Sequence, residues 1–369
     1  MCDPAPSGPF PLRGAMSGKK PYRDFNSYLC ERFGCRVQKI TLDAGLTCPN
    51  RDGSLGRHGC IYCNERGSGT GASRSGLSIT QQLRSAKSYL AKKYKAKKFL
   101  AYFQSFSNTY GPLERLRSLY EEALADEDVV GLSVGTRPDC VSEEVLDCLE
   151  AFSAKSLIWM EYGLQSAKDS TLVTIGRGHS VESFADAVRR TCRRGLPICV
   201  HVILGLPGET GEDMMNTARF LAALPIQAVK IHLLYVVRGT LLEQWYRWGT
   251  YSCLSREEYV SLAARFLELL PPHVIVQRLT GDPHPEELVA PQWAMDKQGN
   301  LQALLTHMGE KGLYQGRLFR GGTEQPAGDP LSPTLAGPGA GTCMGRSGES
   351  SGGSGEHVWC RVDTKPRVG

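Results

Sequence analysis

Short apolar runs separated by amphipathic stretches recur along the first two thirds of the chain, and that alternation restricts the fold more than any other feature. Residues 37–42, 98–103, 129–134, 157–162, 198–204 and 228–234 are apolar enough to read as strands. The segments between them, 78–94, 112–125, 142–152, 181–194 and 212–224, read as helices. In the first, Ile79, Leu83, Ala86, Leu90 and Tyr94 follow a helical period behind a Ser78 cap. Near-continuous apolar strands alternating with helices build a parallel sheet covered by helices, with right-handed crossovers. A closed eight-stranded barrel needs two more such units, and after residue 234 the pattern weakens to a Trp245/Trp248 segment, a helix over 256–270 and an extra strand at 274–277. The expected fold is therefore an α/β partial barrel, (β/α)6, with a C-terminal extension.

The rest of the chain sets its organisation. Residues 1–20, with Pro4, Pro6, Pro9 and Pro11, read as a flexible leader without the apolar core of a secretory signal. Residues 21–240 form the barrel, and 241–320 a helical extension packed on it. Residues 321–369 are rich in Gly, Pro and Ser and read as a disordered tail, where Cys343 and Cys360 have no assigned role. No apolar run approaches the roughly 20 residues of a membrane helix, so no membrane is expected. An odd count of 13 cysteines with no signal argues for a reducing compartment, by default cytoplasmic. The net charge of +5 is unevenly spread: Lys87, Lys92, Lys93, Lys95, Lys97 and Lys98 form one basic run, and Arg189, Arg190, Arg193 and Arg194 another. Each run fits a solvated helix face or a rim that meets RNA phosphates, and charge alone does not choose.

Three cysteines stand in the loop after the first strand. Cys48, Cys60 and Cys63 are spaced C-x11-C-x2-C, and Gly53, Gly56 and Gly59 let the loop fold back so that Cys48 joins the pair. The set fits two chemistries. A 4Fe-4S cluster on three thiolates leaves one iron open, whereas a structural zinc takes four ligands, the fourth here being His58. Burial as ordinary core thiols suits this polar loop poorly. Cys30 and Cys35 precede the first strand with no matching pair, while Cys140, Cys148, Cys192 and Cys199 fall on or beside predicted elements and read as core thiols.

Further polar motifs follow the other strands at their carboxyl ends, where working groups collect in parallel β/α sheets. In order, Cys48-Pro-Asn-Arg-Asp-Gly, Gly135-Thr-Arg-Pro-Asp139, Glu161-Tyr-Gly-Leu-Gln-Ser166, Arg177-Gly-His179 and Gly205-Leu-Pro-Gly-Glu-Thr210 resemble the motifs of radical S-adenosylmethionine (SAM) proteins of the YhcC/YtqA type. That group is similar to the radical SAM portion of the Elongator catalytic subunit. The resemblance spans residues 20–314 and implies a radical SAM partial barrel. It implies a catalytic 4Fe-4S cluster on Cys48, Cys60 and Cys63, and SAM as a second cofactor. Gln104 and the backbone beside it would take the methionyl amine, Glu161 or Gln165 the ribose, Arg177 the methionyl carboxylate, and the turn containing Gly205 and Gly208 the adenine. Gly176 stands where the group usually has Asn. The implied reaction is reductive cleavage of SAM to a 5′-deoxyadenosyl radical, with an external electron donor and, as in the Elongator-like relatives, a tRNA base as substrate.

The residues leave plainer readings open. Glu161 has the pattern of a helix cap or of an ion-pair partner. His201, in mid-strand between Val200 and Val202, reads as a satisfied core histidine, while His179 is the better candidate for contact with substrate or SAM. As a whole the chain reads as a radical SAM enzyme or as a zinc-stapled RNA-binding or interaction protein, and for the enzyme a small-molecule substrate stands beside tRNA.

Overall fold

The computed structural model describes residues 20–67 and 72–321, so the expected leader and tail lie outside the described residues apart from residues 20 and 321 themselves. In chain order the main elements are α1 (Phe25–Phe33), β1 (Val37–Leu42), α2 (Ile79–Tyr94), β2 (Lys98–Phe103), α3 (Leu113–Leu124), β3 (Val129–Thr136), α4 (Glu143–Ser153), β4 (Leu157–Gln165), α5 (Asp169–Thr174), α6 (Val181–Arg193), β5 (Ile198–Leu204), α7 (Gly211–Ala222) and β6 (Ala228–Leu233). There follow β7 (Val236–Val237), α8 (Leu241–Arg247), α9 (Arg256–Leu269), β8 (Ile275–Arg278), β9 (Leu288–Ala290) and α10 (Lys297–Glu310). No described helix is long and apolar enough to cross a membrane.

The helices begin where short polar side chains can take up the free amide groups of a first turn. Ser78 with Gln81, Thr210 with Asp213 and Ser255 with Glu258 make reciprocal capping boxes, and Ser142 and Ser180 cap α4 and α6. β1 to β6 and then β8 pair in that order, all parallel, into a curled half-barrel sheet. The sheet thus has seven strands: the six expected of the partial barrel and, joined to them, the extra strand read at 274–277. The seventh, β8, pairs Ile275 with Ala228 and is only 4 residues long, too short to show a period of its own. β7 and β9 form a separate antiparallel pair.

Side chains alternate across each strand, so the sheet has two different faces. The outer face carries Ile40, Leu132, Ile158, Val200 and Ile231, packed beneath helical residues such as Leu83, Leu116, Leu146, Phe184 and Phe266. The inner face begins, at the amino ends of the strands, with Val37, Leu100, Leu157, Trp159, Ala228 and Ile275. Helix α1 closes that end: Tyr28 and Leu29 pack among these residues, and the Phe25 and Tyr28 rings meet Trp159 edge-on at 5.8 and 6.0 Å. The sequence reading missed α1, although Asp24 caps its start and Gly34, at φ 65°, ends it. Helix α1 thus packs against one end of the lumen, and the loops carrying the sequence motifs meet at the other.

Candidate active site

The cysteine loop leaves β1 and is shaped by its own backbone. Arg51 and Asp52 N–H groups donate to Cys48 O, Gly59 N–H to Asn50 O (2.9 Å), and Cys63 N–H to Cys60 O (2.9 Å), the last being the turn that sets Cys60 and Cys63 side by side. Gly59 lies at φ 75°, and a Cβ there would stand 2.7 Å from the Arg51 guanidinium, which itself donates to Cys63 O and Asn64 O at 2.6 Å. Ile61 anchors the loop in a small apolar cluster with Leu172, Ile175, Leu206 and Leu242.

All three thiols are free and line one cavity of about 210 Å³ that descends into the lumen. Cys60 is buried, Cys48 and Cys63 half-buried. Burial, and next the neighbouring Cys60, push the Cys63 thiol up to about 11, a crowding that the positive charge of bound metal relieves. Donors to sulfur are in place as well, since Asn50 Nδ2 and Arg177 Nη1 lie 3.6 and 3.7 Å from Cys60 Sγ. His58, the alternative fourth ligand for zinc, is exposed and not on the cavity wall. Among the described residues, the group whose ligand atoms all lie within 4.8 Å of one another is Glu161, Cys199 and His201, not the three cysteines. The cysteines therefore ring a wider space than one tetrahedral ion fills, which suits a cluster. The tighter group does not suit a cation, because two lysine ammonium groups already occupy the Glu161 carboxylate.

The expected SAM-binding residues separate into those on the cavity wall and those off it. Gln104 and Gln165 are on the wall. Gln165 is held at φ 76° and Phe106, also on the wall, at φ 62°, and strained backbone of this kind gathers at functional sites. Arg177 is on the wall too, but its fork is not free for a carboxylate: Nε and Nη2 donate to Gly163 O at 3.2 and 2.7 Å while Nη1 faces Cys60. Gly163 leaves the room for this, since a Cβ there would stand 2.5 Å from Arg177 Nη2. Gly176, at φ 64°, occupies the left-handed region that Gly and Asn both tolerate, which accounts for the exchange between them.

Glu161 is not offered to a ribose. It is fully buried, and its oxygens accept from Lys39, Lys230 and His201 Nε2 (2.9 Å). Burial alone would raise its pKa, but the charges of Lys230 and Lys39 outweigh burial and hold it well below the usual carboxylate range. Gly205 and Gly208 do not line the cavity. A Cβ on Gly205 would meet the Leu254 side chain at 3.0 Å, and its carbonyl accepts from Tyr251 Oη, so this turn serves packing. His179 also lies off the cavity wall; burial, then Arg177, lower it to about 3, and the neutral ring sets Nε2 3.1 Å from Gly163 O.

Sequence reasoning missed several residues of the site. Asn50 Nδ2 also donates to Gly176 O and Arg177 O at 2.8 and 3.1 Å, and Arg137, gripped by Asp139, donates to Arg177 O at 2.6 Å, so the cysteine loop and the turn after α5 are clasped together. Lys230 sits over the Tyr102 ring at 4.0 Å, with His232 and Arg278 beside it on the cavity wall. A lysine or glutamate in the middle of an apolar strand was the signal that would have found Lys39, Glu161 and Lys230 together.

The two basic runs lie elsewhere. Lys87 pairs with Asp126 and Asp128 at 2.6 and 2.8 Å, and Arg190 and Arg194 are held by Glu143, Asp186 and Asp147. Both runs fall where helices end and strands begin, the end of the sheet opposite the cysteines.

Comparison with known proteins agrees with this arrangement. Residues 54–221 match the model of the Radical SAM superfamily and 226–310 that of the Radical_SAM C-terminal domain. YtqA of Bacillus subtilis, itself described as uncharacterized, is 38% identical over 87% of this chain and 99% of its own length. The chain belongs to the radical SAM superfamily. Enzymes of this superfamily use a 4Fe-4S cluster and SAM. A tRNA uridine(34) acetyltransferase of Dehalococcoides mccartyi is 30% identical over 47% of this chain and 37% of its own. The solved archaeal Elp3 of Methanocaldococcus infernus shares the fold, with a TM-score of 0.58 at 19% identity over 76% of this chain and 64% of that one.

Proposed function

We propose that this chain is a radical SAM enzyme that holds a 4Fe-4S cluster on Cys48, Cys60 and Cys63 and acts on a substrate in the lumen below them. The observation that carries this is the shared cavity, in which three free cysteines and a charged, strand-borne layer face the same space of about 210 Å³. When bound, the cluster and SAM supply a 5′-deoxyadenosyl radical after one electron arrives from an external donor. The chain's own residues do the rest. Asn50 and Arg177 donate to Cys60 and steady the loop, and Gln104 and Gln165, on the same cavity wall as the cysteines, would hold SAM. Free thiols at all ten described cysteines support a reducing compartment, the cytoplasm.

A tRNA base as substrate is supported by the relative that acts on tRNA uridine, which matches about half of this chain. A small molecule is supported by the distance of both basic runs from the cavity, with Lys87, Arg190 and Arg194 held by carboxylates. The test is to incubate the reconstituted protein with SAM, a reductant and total tRNA. 5′-deoxyadenosine with an altered nucleoside supports the tRNA reading; 5′-deoxyadenosine with unaltered nucleosides supports the small molecule, and no SAM cleavage contradicts the enzyme assignment.

A further inference from the structure

Glu161 is the only carboxylate among the described residues on the cavity wall, against Arg51, Arg137, Arg177, Lys230 and Arg278. The cations near the cysteines have partners there, but the lower group does not balance. Glu161 is shared by Lys39 and Lys230, while Asp282 is shared by Arg278 at 3.7 Å and Lys297 at 3.3 Å. Three cations, Lys39, Lys230 and Arg278, thus face Glu161 and an Asp282 that Lys297 also holds. The histidines add no counter-charge: burial first, then Lys230, lowers His201 to about 4, and burial with Arg278 holds His232 well below its ordinary value. Burial also draws Lys230 down to about 7 despite Glu161, with Lys39 repelling it, and an anion bound beside it favours the charged form. Uncompensated charge in a sheltered cavity is costly unless something of opposite sign binds there.

A second observation points to a ligand at the same place. His232 Nε2, on the cavity wall, is buried with no hydrogen-bond partner, whereas buried polar atoms are normally satisfied. His232 follows Lys230 by two residues on β6, so both side chains face inward, and Lys230 pairs in register with Arg278.

We propose that Lys230, His232 and Arg278 bind an anionic group of the substrate, a carboxylate or a phosphate. The inference rests on the reading of the lumen as the substrate's place and narrows the substrate to an anion. Lysine supplies a point charge, arginine a planar fork and the neutral histidine one N–H, a set that surrounds a small oxyanion. Glu161 keeps Lys230 fixed without cancelling it, because Lys39 takes up the other half of the carboxylate.

SAM also carries a carboxylate, so the test separates the two sources. The cluster-loaded full chain is titrated calorimetrically with inorganic phosphate, with acetate and, separately, with SAM, at constant ionic strength. The proposal predicts binding of phosphate or acetate that persists when SAM is saturating. His232→Phe keeps the ring that packs 5.4 Å from His201 and removes the N–H; Arg278→Gln removes the fork. Each should weaken the oxyanion about tenfold or more, the cost of one charge-assisted contact, and SAM far less. No oxyanion binding to the wild type overturns the proposal. Displacement of the oxyanion by SAM, or an equal loss of SAM affinity in both variants, also overturns it and assigns the floor to SAM's own carboxylate. Should Arg278→Gln fail to fold, His232→Phe decides. Oxyanion binding in a wild type that forms no 5′-deoxyadenosine contradicts the proposed reaction and supports the anion site; SAM cleavage without oxyanion binding does the reverse.

Discussion

The outer and inner faces of this sheet are built by the same strands, one residue apart. On β5, Val200 and Val202 lie under helices while His201 faces the lumen; on β6, Val229 and Ile231 alternate with Lys230 and His232. Outside, the contacts are apolar and non-directional, so many residues of similar volume would serve. Inside, polar groups from several strands meet above the apolar residues packed on α1: Lys39 of β1 and Lys230 of β6 both reach Glu161 of β4. The outer face makes the fold, and the inner face carries chemistry that the fold alone does not require. Substitutions on the two faces should therefore fail in different ways.

The largest effect is expected at the inner face. Glu161→Leu strands two buried ammonium groups and should destabilise the protein by about 3–5 kcal/mol in denaturant unfolding. Replacing Lys39, Lys230 and Glu161 together by Met, Met and Leu should recover most of that loss. If the single variant is as stable as wild type, the charged layer is solvated and the contrast between faces collapses.

Leu132→Ala on the outer face should cost about 2–5 kcal/mol by leaving a cavity under the helices. Iron content and SAM affinity, measured below its unfolding midpoint, should stay at wild-type values. A specific loss of SAM affinity there would show that the faces are coupled.

The effect smallest at any one pH step is a slope. Burial lowers Lys230 from 10.5 to about 7, so between those values the unfolded chain holds a proton that the folded chain has released. Stability contributed by this site therefore rises with pH across that window, by at most about 1.4 kcal/mol per pH unit. Lys230→Met should flatten the rise in unfolding free energy measured from pH 7 to 10. An unchanged slope would mean that Lys230 keeps its proton.

The contrast also explains what was legible in the sequence. The expected strands β1 to β6 end within three residues of the observed ones, because apolar runs and caps such as Ser78 and Ser142 act locally. The cysteines were legible because their spacing is itself local. The inner layer was not, because Lys39, Tyr102, Glu161, His201 and Lys230 are far apart in sequence and meet only through strand order. Helix α1 was missed for a similar reason: it is short, and it is held by its packing against the amino ends of the strands rather than by its own pattern. Glu161 and Arg177, singled out by the family pattern, both line the cavity, and their partners fix what they touch: lysines for Glu161, and Gly163 O with Cys60 for Arg177.

The central claim is that Cys48, Cys60 and Cys63, open to this lumen, hold a cluster with one iron left free. Iron per chain and the electron paramagnetic resonance spectrum of the reduced protein, with and without SAM, test it most directly on the wild type, the three Cys→Ala variants and Cys30→Ala. The account predicts about four irons in the wild type and in Cys30→Ala with a spectrum that SAM changes, and loss of the cluster in each of the three variants. Full iron content in Cys48→Ala, Cys60→Ala or Cys63→Ala, or a spectrum indifferent to SAM, would contradict it.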